Sequence, residues 1–366
     1  MEEEKKGGNP YQPRTDEEQL ELEIVKLFGQ QLREAIKSGD FEKYMKDHKR
    51  TFMKKAAAII RRFTAKAERD GRKVLNGTYE QMAKNEAKKA YEAMGKEREL
   101  SVKFGGVNEE KLKALNDELS YSVREAGVSI LRVTADKYRM ITEQTLKYYS
   151  GGMMSLEDAV FTGSQELAKR GIRAIPYKNG KRVNSASYVE MAARTANQRA
   201  KFYGEGELRS RTGHFLVIVS SHTSTCEKCA PWQGKILIDD VFSGEVPASV
   251  MEKYEGRYKK VSEAIDAGFM HPNCRHQLST WYEGISEKHA EEPAEETRRA
   301  YYNAEVKQRA IEREIREARR TQALAVTKKQ KDEAAEDLAE AQKAMKAHLA
   351  KNPQLREIKW RENVYL

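Results

Sequence analysis

All three cysteines of this 366-residue chain, Cys226, Cys229 and Cys274, fall in one short stretch, beside three of its seven histidines, His222, His271 and His276. The spacing is C-x-x-C, then H-x-x-C-x-H. A C-x-x-C turn presents two thiols on one side of a tight loop, and zinc takes four such soft or borderline donors in a tetrahedron. If these residues act together, two loops far apart in sequence must meet. Cys226, Cys229 and Cys274 supply three sulfurs, and the fourth ligand is His271 or His276. Pro272 fixes an extended or turn backbone after His271, which suits an H-x-x-C knuckle. His276 lies two residues beyond Cys274, so on a strand it points to the same side. The knuckle spacing favours His271, and His276 stays open. Four protein ligands make a closed, structural zinc site rather than a catalytic one. The competing readings are a C-x-x-C redox pair and three unconnected thiols.

Around this cluster the apolar pattern is that of a small sheet. His214–Ser220 (HFLVIVS) is a β-branched apolar run, hence a buried strand. Lys235–Ile238 and His276–Trp281 read as two more strands. Trp232 and Trp281 are expected to pack over the site or the sheet. Upstream, Ser155 can cap a helix with Asp158 three positions on, and that helix stops at Gly171. Asn179-Gly180 is a hairpin turn signal. A further helix starts at Ser187, and Gly204 and Gly206 are expected to end it.

The flanks are helical. Leu20, Ile24, Leu27 and Phe28 recur at helical spacing, as do Phe52, Ala56, Ile59, Ile60 and Phe63. Gly71 and Gly77 are expected to flank a break. The stretch from Lys111 to Tyr149 carries the clearest amphipathic stripe. Beyond Gly284, residues 286–351 hold one proline and no glycine, with a narrow stripe through Ile311, Ile315, Leu338, Met345 and Leu349. A narrow stripe on a charged helix suits a coiled coil or a helix laid on a partner. It is therefore expected to be an assembly element that adds little to the monomer's core. The expected class is mainly α with a small α+β central domain. The divisions are a disordered arm over 1–15, a helical bundle over 16–150, an α+β domain with the metal knuckle over 151–284, and a long charged helix and tail over 285–366.

Charge bounds the partners. The net charge is +10, with 34% charged and 39% hydrophobic residues. The most basic local patch is Lys54, Lys55, Arg61, Arg62, Lys66, Arg69, Arg72 and Lys73. It reads either as a solvated helix face or as one that contacts phosphates without regard to sequence. The polar, acidic start is not expected to act as a signal peptide, and no apolar run is long enough to span a membrane. Three cysteines make no even disulfide framework, which points to a reducing cytoplasm or a particle assembled there. No P-loop, dinucleotide fingerprint, nucleophile elbow or convincing catalytic triad is present.

The segments CEKCAPWQGKI and HPNCRH resemble the minor capsid and head-morphogenesis proteins of tailed bacteriophages, the Mu F-like and phage minor capsid protein 2 group. Ser187–Tyr203 (SYVEMAARTANQRAKFY) is similar to that group's helix with its Arg-Thr pair, here Arg194 and Thr195. The likeness covers roughly 185–284. Many relatives carry Cys at the last motif position, where this chain has His276. The resemblance implies a non-enzymatic structural protein inside the phage head, made in the host cytoplasm. It would meet the portal, other capsid proteins and DNA, in multiple copies, during assembly, packaging or ejection. Two enzymatic alternatives stand beside it. An HNH-like nuclease also combines zinc with histidines, but here the knuckle would consume them. A toxin domain, as fused to some relatives, would need a folded enzyme after Gly284.

Overall fold

The structure, a computed structural model, describes residues 12–94, 108–172, 175–176, 182–254, 256–272, 274–287 and 294–362. The expected disordered arm over 1–15 lies outside them except for 12–15, which open the first helix. The helices are α1 (Gln12–Lys37), α2 (Phe41–Met94), α3 (Glu109–Ser150), α4 (Leu156–Arg170), α5 (Ser185–Thr212), α6 (Ala248–Tyr254), α7 (Val261–Asp266), α8 (Glu295–Leu324), α9 (Lys328–Lys351) and α10 (Lys359–Glu362). The strands are β1 (Ile175–Pro176), β2 (Arg182–Val183), β3 (Leu216–Val219), β4 (Ile236–Ile238), β5 (Lys259–Lys260) and β6 (Leu278–Thr280). The expected class, mainly α with a small sheet region, is the class adopted.

The chain packs as two compact units, which are not consecutive stretches. One is built from 69–121 and 191–303, the other from 12–68, 122–190 and 304–366. In the second unit Phe28, Phe52 and Tyr138, from α1, α2 and α3, form a cluster of tilted rings, with Phe52 4.7 Å from each of the other two. The Tyr138 hydroxyl donates to the Met45 carbonyl at 2.6 Å, so the buried phenol is not orphaned. Ser155 caps α4 as expected, accepting from the Asp158 N–H at 3.1 Å, and Gly171 ends it at φ 57°. β1 and β2 pair antiparallel. The Asn179-Gly180 turn between them lies outside the described residues.

The C-terminal stretch departs from expectation. It is two helices, and its stripe closes on itself: Ile311 and Ile315 of α8 pack with Ala341 and Met345 of α9, flanked by Leu338 and Leu349. The break after Leu324 needs neither Gly nor Pro. Thr327 starts α9 through a reciprocal cap, accepting from the Gln330 N–H at 3.2 Å while Gln330 Oε1 accepts from the Thr327 N–H at 3.1 Å. Ile315 and Ala325 are fully buried, and Arg320 donates to the Ala168 carbonyl of α4 at 2.7 Å. The pair thus belongs to the core of its unit, which corrects the expectation of an element outside the core.

In the first unit a four-stranded sheet runs β5-β4-β3-β6. β3 pairs antiparallel with β4 and β6, whereas β5 lies parallel to β4. The three expected strands are present; β5, only two residues long, carried too little pattern to be read. The glycines expected to break helices do not. α2 and α5 run through them. Gly71 faces Leu119, whose Cδ2 would stand 2.8 Å from an added Cβ, and Gly206 faces the Phe242 carbonyl, 2.1 Å from one. Here glycine serves close helix packing and not chain reversal.

Candidate metal centre

The cluster is assembled from two loops that flank the sheet. Cys226 and Cys229 precede a short 3-10 turn, Ala230–Trp232, whose tightness comes from N–H groups of Cys229 and Ala230 donating back to the Cys226 carbonyl. His271, Cys274 and His276 lie on the approach to β6. The Cys274 N–H donates to the His271 carbonyl at 2.9 Å, closing the knuckle that the H-x-x-C spacing implies. Ser220, just past β3, donates its N–H to the Gln277 carbonyl and so fixes the end of that approach. Cys229 and Cys274 belong to the apolar core of this unit, with Val217, Leu237, Phe269 and Leu278. Trp232 packs against the same core, as expected, 6.4 Å from Phe269.

All five expected donors meet. Cys229 Sγ lies 3.7 Å from Cys274 Sγ, Cys226 Sγ lies 3.1 Å from His271 Nε2, and Cys274 Sγ lies 3.3 Å from His276 Nδ1. Two triads share Cys229: Cys226, Cys229, His271 and Cys229, Cys274, His276. The ligand atoms of each lie within 4.8 Å of one another. In a zinc tetrahedron two sulfurs stand about 3.8 Å apart and a sulfur and a nitrogen about 3.6 Å. The sulfur pair fits this, and the sulfur–nitrogen pairs fall a few tenths short. The cluster could therefore hold a metal ion, and its donor chemistry is that of a soft or borderline cation.

The thiols are prepared for it. The contact between Cys229 and Cys274 divides that pair. It holds Cys229 above the usual thiol range, helped by burial, and holds Cys274 down at about 4 against its burial, helped by the His276 backbone N–H. Burial pushes Cys226 up, but hydrogen bonds with His271 and Cys229 outweigh it and leave it low. One thiolate forms readily, while full deprotonation of this buried cluster needs a cation to offset the charge. The two histidines differ in setting. His276 is buried, whereas His271 borders an open cleft of about 880 Å³ with Cys226, Lys228, Arg298 and Tyr302.

Two features escaped the sequence reading. Thr225 and Gln233 are buried at the cluster and bond to His276. Gln233 sits within the WQGK segment, so its position, though not its role, was in view. Beside the sheet, fully buried Arg209 of α5 reaches Asp239 at 2.9 Å and Ser243 at 3.1 Å. Asp239 also accepts the Phe242 N–H at 2.9 Å. Nothing in the local sequence distinguishes this arginine from the chain's many exposed ones.

The basic stretch lies wholly on α2. Lys54, Lys55, Arg61 and Lys73 are exposed and make no ion pair among the described residues. The other four meet acids: Arg62 with Glu23, Lys66 with buried Asp16, Arg69 with Asp70 and Arg72 with Asp117. Three of these acids come from other helices, so counting charges along α2 alone overstates the patch. Arg194 and Thr195 lie half-buried on α5. A turn below, Gln198 donates to the His276 carbonyl, which ties the helix to the metal loop.

The chain is similar to structural proteins of phages. More particularly, it belongs to the phage minor capsid protein 2 family, whose model matches residues 19–350. A structural protein of Lactococcus phage LL-H is 25% identical over 218 residues, 56% of this chain and 54% of that protein. The chain thus spans about half the length of that relative. No solved structure matches it. The resemblance read from CEKCAPWQGKI and HPNCRH is borne out at the level of the family. No described helix is long and apolar enough to cross a membrane.

Proposed function

We propose that this phage structural protein is a minor component of the head interior, with the portal, neighbouring capsid proteins and DNA as its partners in assembly, packaging or ejection. The observation that carries the reading is the family match from residue 19 to residue 350. One structural zinc, held by the Cys226, Cys229 and Cys274 cluster, would staple the sheet. The core position of Cys229 and Cys274 supports a structural over a catalytic metal, because a hydrolytic site keeps one position open to water. The same engagement of His271 and His276 with sulfurs weighs against an HNH-like nuclease. DNA contact would be electrostatic, through Lys54, Lys55 and Arg61 of α2. Particles purified through a density gradient should contain the protein in a fixed ratio to portal protein. Its absence from particles, or magnesium-dependent nicking of plasmid by the purified chain, would overturn the reading.

A further inference from the structure

We propose that His276, and not His271, completes the metal site, held in place by Thr225 and Gln233. This rests on the zinc reading above and goes beyond it. Some groups around His276 have a hydrogen-bonding role that is not open to choice. The backbone N–H of His222 can only donate, and it points at Gln233 at 2.9 Å. The Gln233 atom facing it is therefore the carbonyl oxygen, Oε1. That oxygen also lies 2.8 Å from the Thr225 hydroxyl and 3.1 Å from His276 Nε2. An amide oxygen only accepts, so His276 carries a proton on Nε2. The Thr225 oxygen, 2.8 Å from the same nitrogen, is a second acceptor for that proton. In the neutral ring the other nitrogen, Nδ1, is then a bare lone pair. It faces Cys274 Sγ at 3.3 Å, on the side where Cys229 also lies.

This is the arrangement that metal-bound histidines use: one ring nitrogen to the ion, the other donated to a fixed acceptor. Here both acceptors are buried with the ring. Gln233 and His276 are each 1% exposed and Thr225 is 6% exposed. The ring is packed between His222, with centroids 4.2 Å apart, and Phe269, at 5.6 Å. His271 has a thinner setting. Among the described residues its Nδ1 meets the carbonyl of the next residue, Pro272, at 2.8 Å, and the ring borders the open cleft. It is suited to shield the half-exposed Cys226 sulfur from outside the tetrahedron.

Cobalt(II) titration of the full-length chain tests the assignment, since cobalt reports both geometry and sulfur count in its absorption spectrum. Wild type and His271→Ala should each bind about one equivalent with tetrahedral bands, and affinities within about tenfold of each other. His276→Ala should weaken binding at least about a hundredfold. To separate ligand loss from misfolding, His276→Cys provides the control: it should bind cobalt with stronger sulfur-to-metal charge transfer, from four sulfurs in place of three. Gln233→Leu should weaken binding by about ten- to a hundredfold, and Gln233→Glu, which keeps an acceptor, should restore it. Loss of metal from His271→Ala, or an unchanged charge-transfer band in His276→Cys, would overturn the assignment and leave the zinc reading standing. No cobalt binding by wild type would overturn both.

Discussion

The sheet region and the long helices of this protein are held together by different means. Around the sheet, few residues do the work, and each is directional: a sulfur at 3.7 Å from another sulfur, a guanidinium hydrogen-bonded to a buried carboxylate, a histidine beside a threonine and a glutamine. In α1–α3 and in α8–α9 the contacts are apolar stripes, repeated turn after turn, with no single residue decisive. The difference teaches where a point change should matter. A directional network fails when one partner leaves, because the other stays buried and unsatisfied. A stripe loses only what the removed atoms contributed, plus the cavity they leave.

The sharpest contrast is at Asp239. Its replacement in Asp239→Ala takes away the carboxylate that hydrogen-bonds Arg209 and leaves the buried guanidinium with Glu205, 3.8 Å away, which should cost about 3–5 kcal/mol by denaturant unfolding. Asp239→Asn should recover only part of that. Ile315→Ala, in the stripe between α8 and α9, should cost about 3 kcal/mol. It should leave metal content unchanged, since Ile315 belongs to the other compact unit. An effect of Ile315→Ala on metal content would break the comparison.

Glu205 gives a smaller effect with a characteristic pH dependence. Burial lifts its carboxyl to about 7, against the pull of Arg209 and Lys201. A raised folded value means the unfolded chain binds fewer protons between roughly pH 4.3 and 7, so stability falls as pH rises through that window. Glu205→Gln should remove this fall. The variant should match wild type near pH 4 and exceed it by about 3 kcal/mol at pH 8. A variant less stable than wild type at pH 8 would show that Glu205 stabilises as an anion.

The smallest effect on stability belongs to the basic face. Reversing Lys54, Lys55 and Arg61 to Glu should change unfolding by under about 0.5 kcal/mol, since exposed charges without partners contribute little. It should nonetheless lower the slope of DNA affinity against salt by about three. An unchanged slope would make the face an ordinary solvated one.

What could be read from the sequence follows the same division. The cysteine and histidine spacing implied a meeting of two loops, because a C-x-x-C turn and an H-x-x-C turn leave few geometries open. The strands at 216–219, 236–238 and 278–280 were legible as β-branched runs. The acids facing α2 were not, because Asp16, Glu23 and Asp117 lie far from it in sequence. Gly71, Gly204 and Gly206 were misread for a similar reason. A glycine that admits a neighbour's backbone looks, in one dimension, like one that ends a helix. The break at Thr327 carried its signal in the Thr-x-x-Gln cap, which is weak without a glycine before it.

The central claim is that a metal ion held by Cys226, Cys229 and Cys274 with a histidine is part of the fold of the sheet region. The most direct measurement is the metal content of the full-length protein after dialysis without chelator, paired with its thermal unfolding before and after chelation. About one zinc per chain is expected, and after chelation the sheet region should unfold at a markedly lower temperature, because structural zinc binding is folding free energy. A protein that carries no metal and melts unchanged in chelator would contradict it.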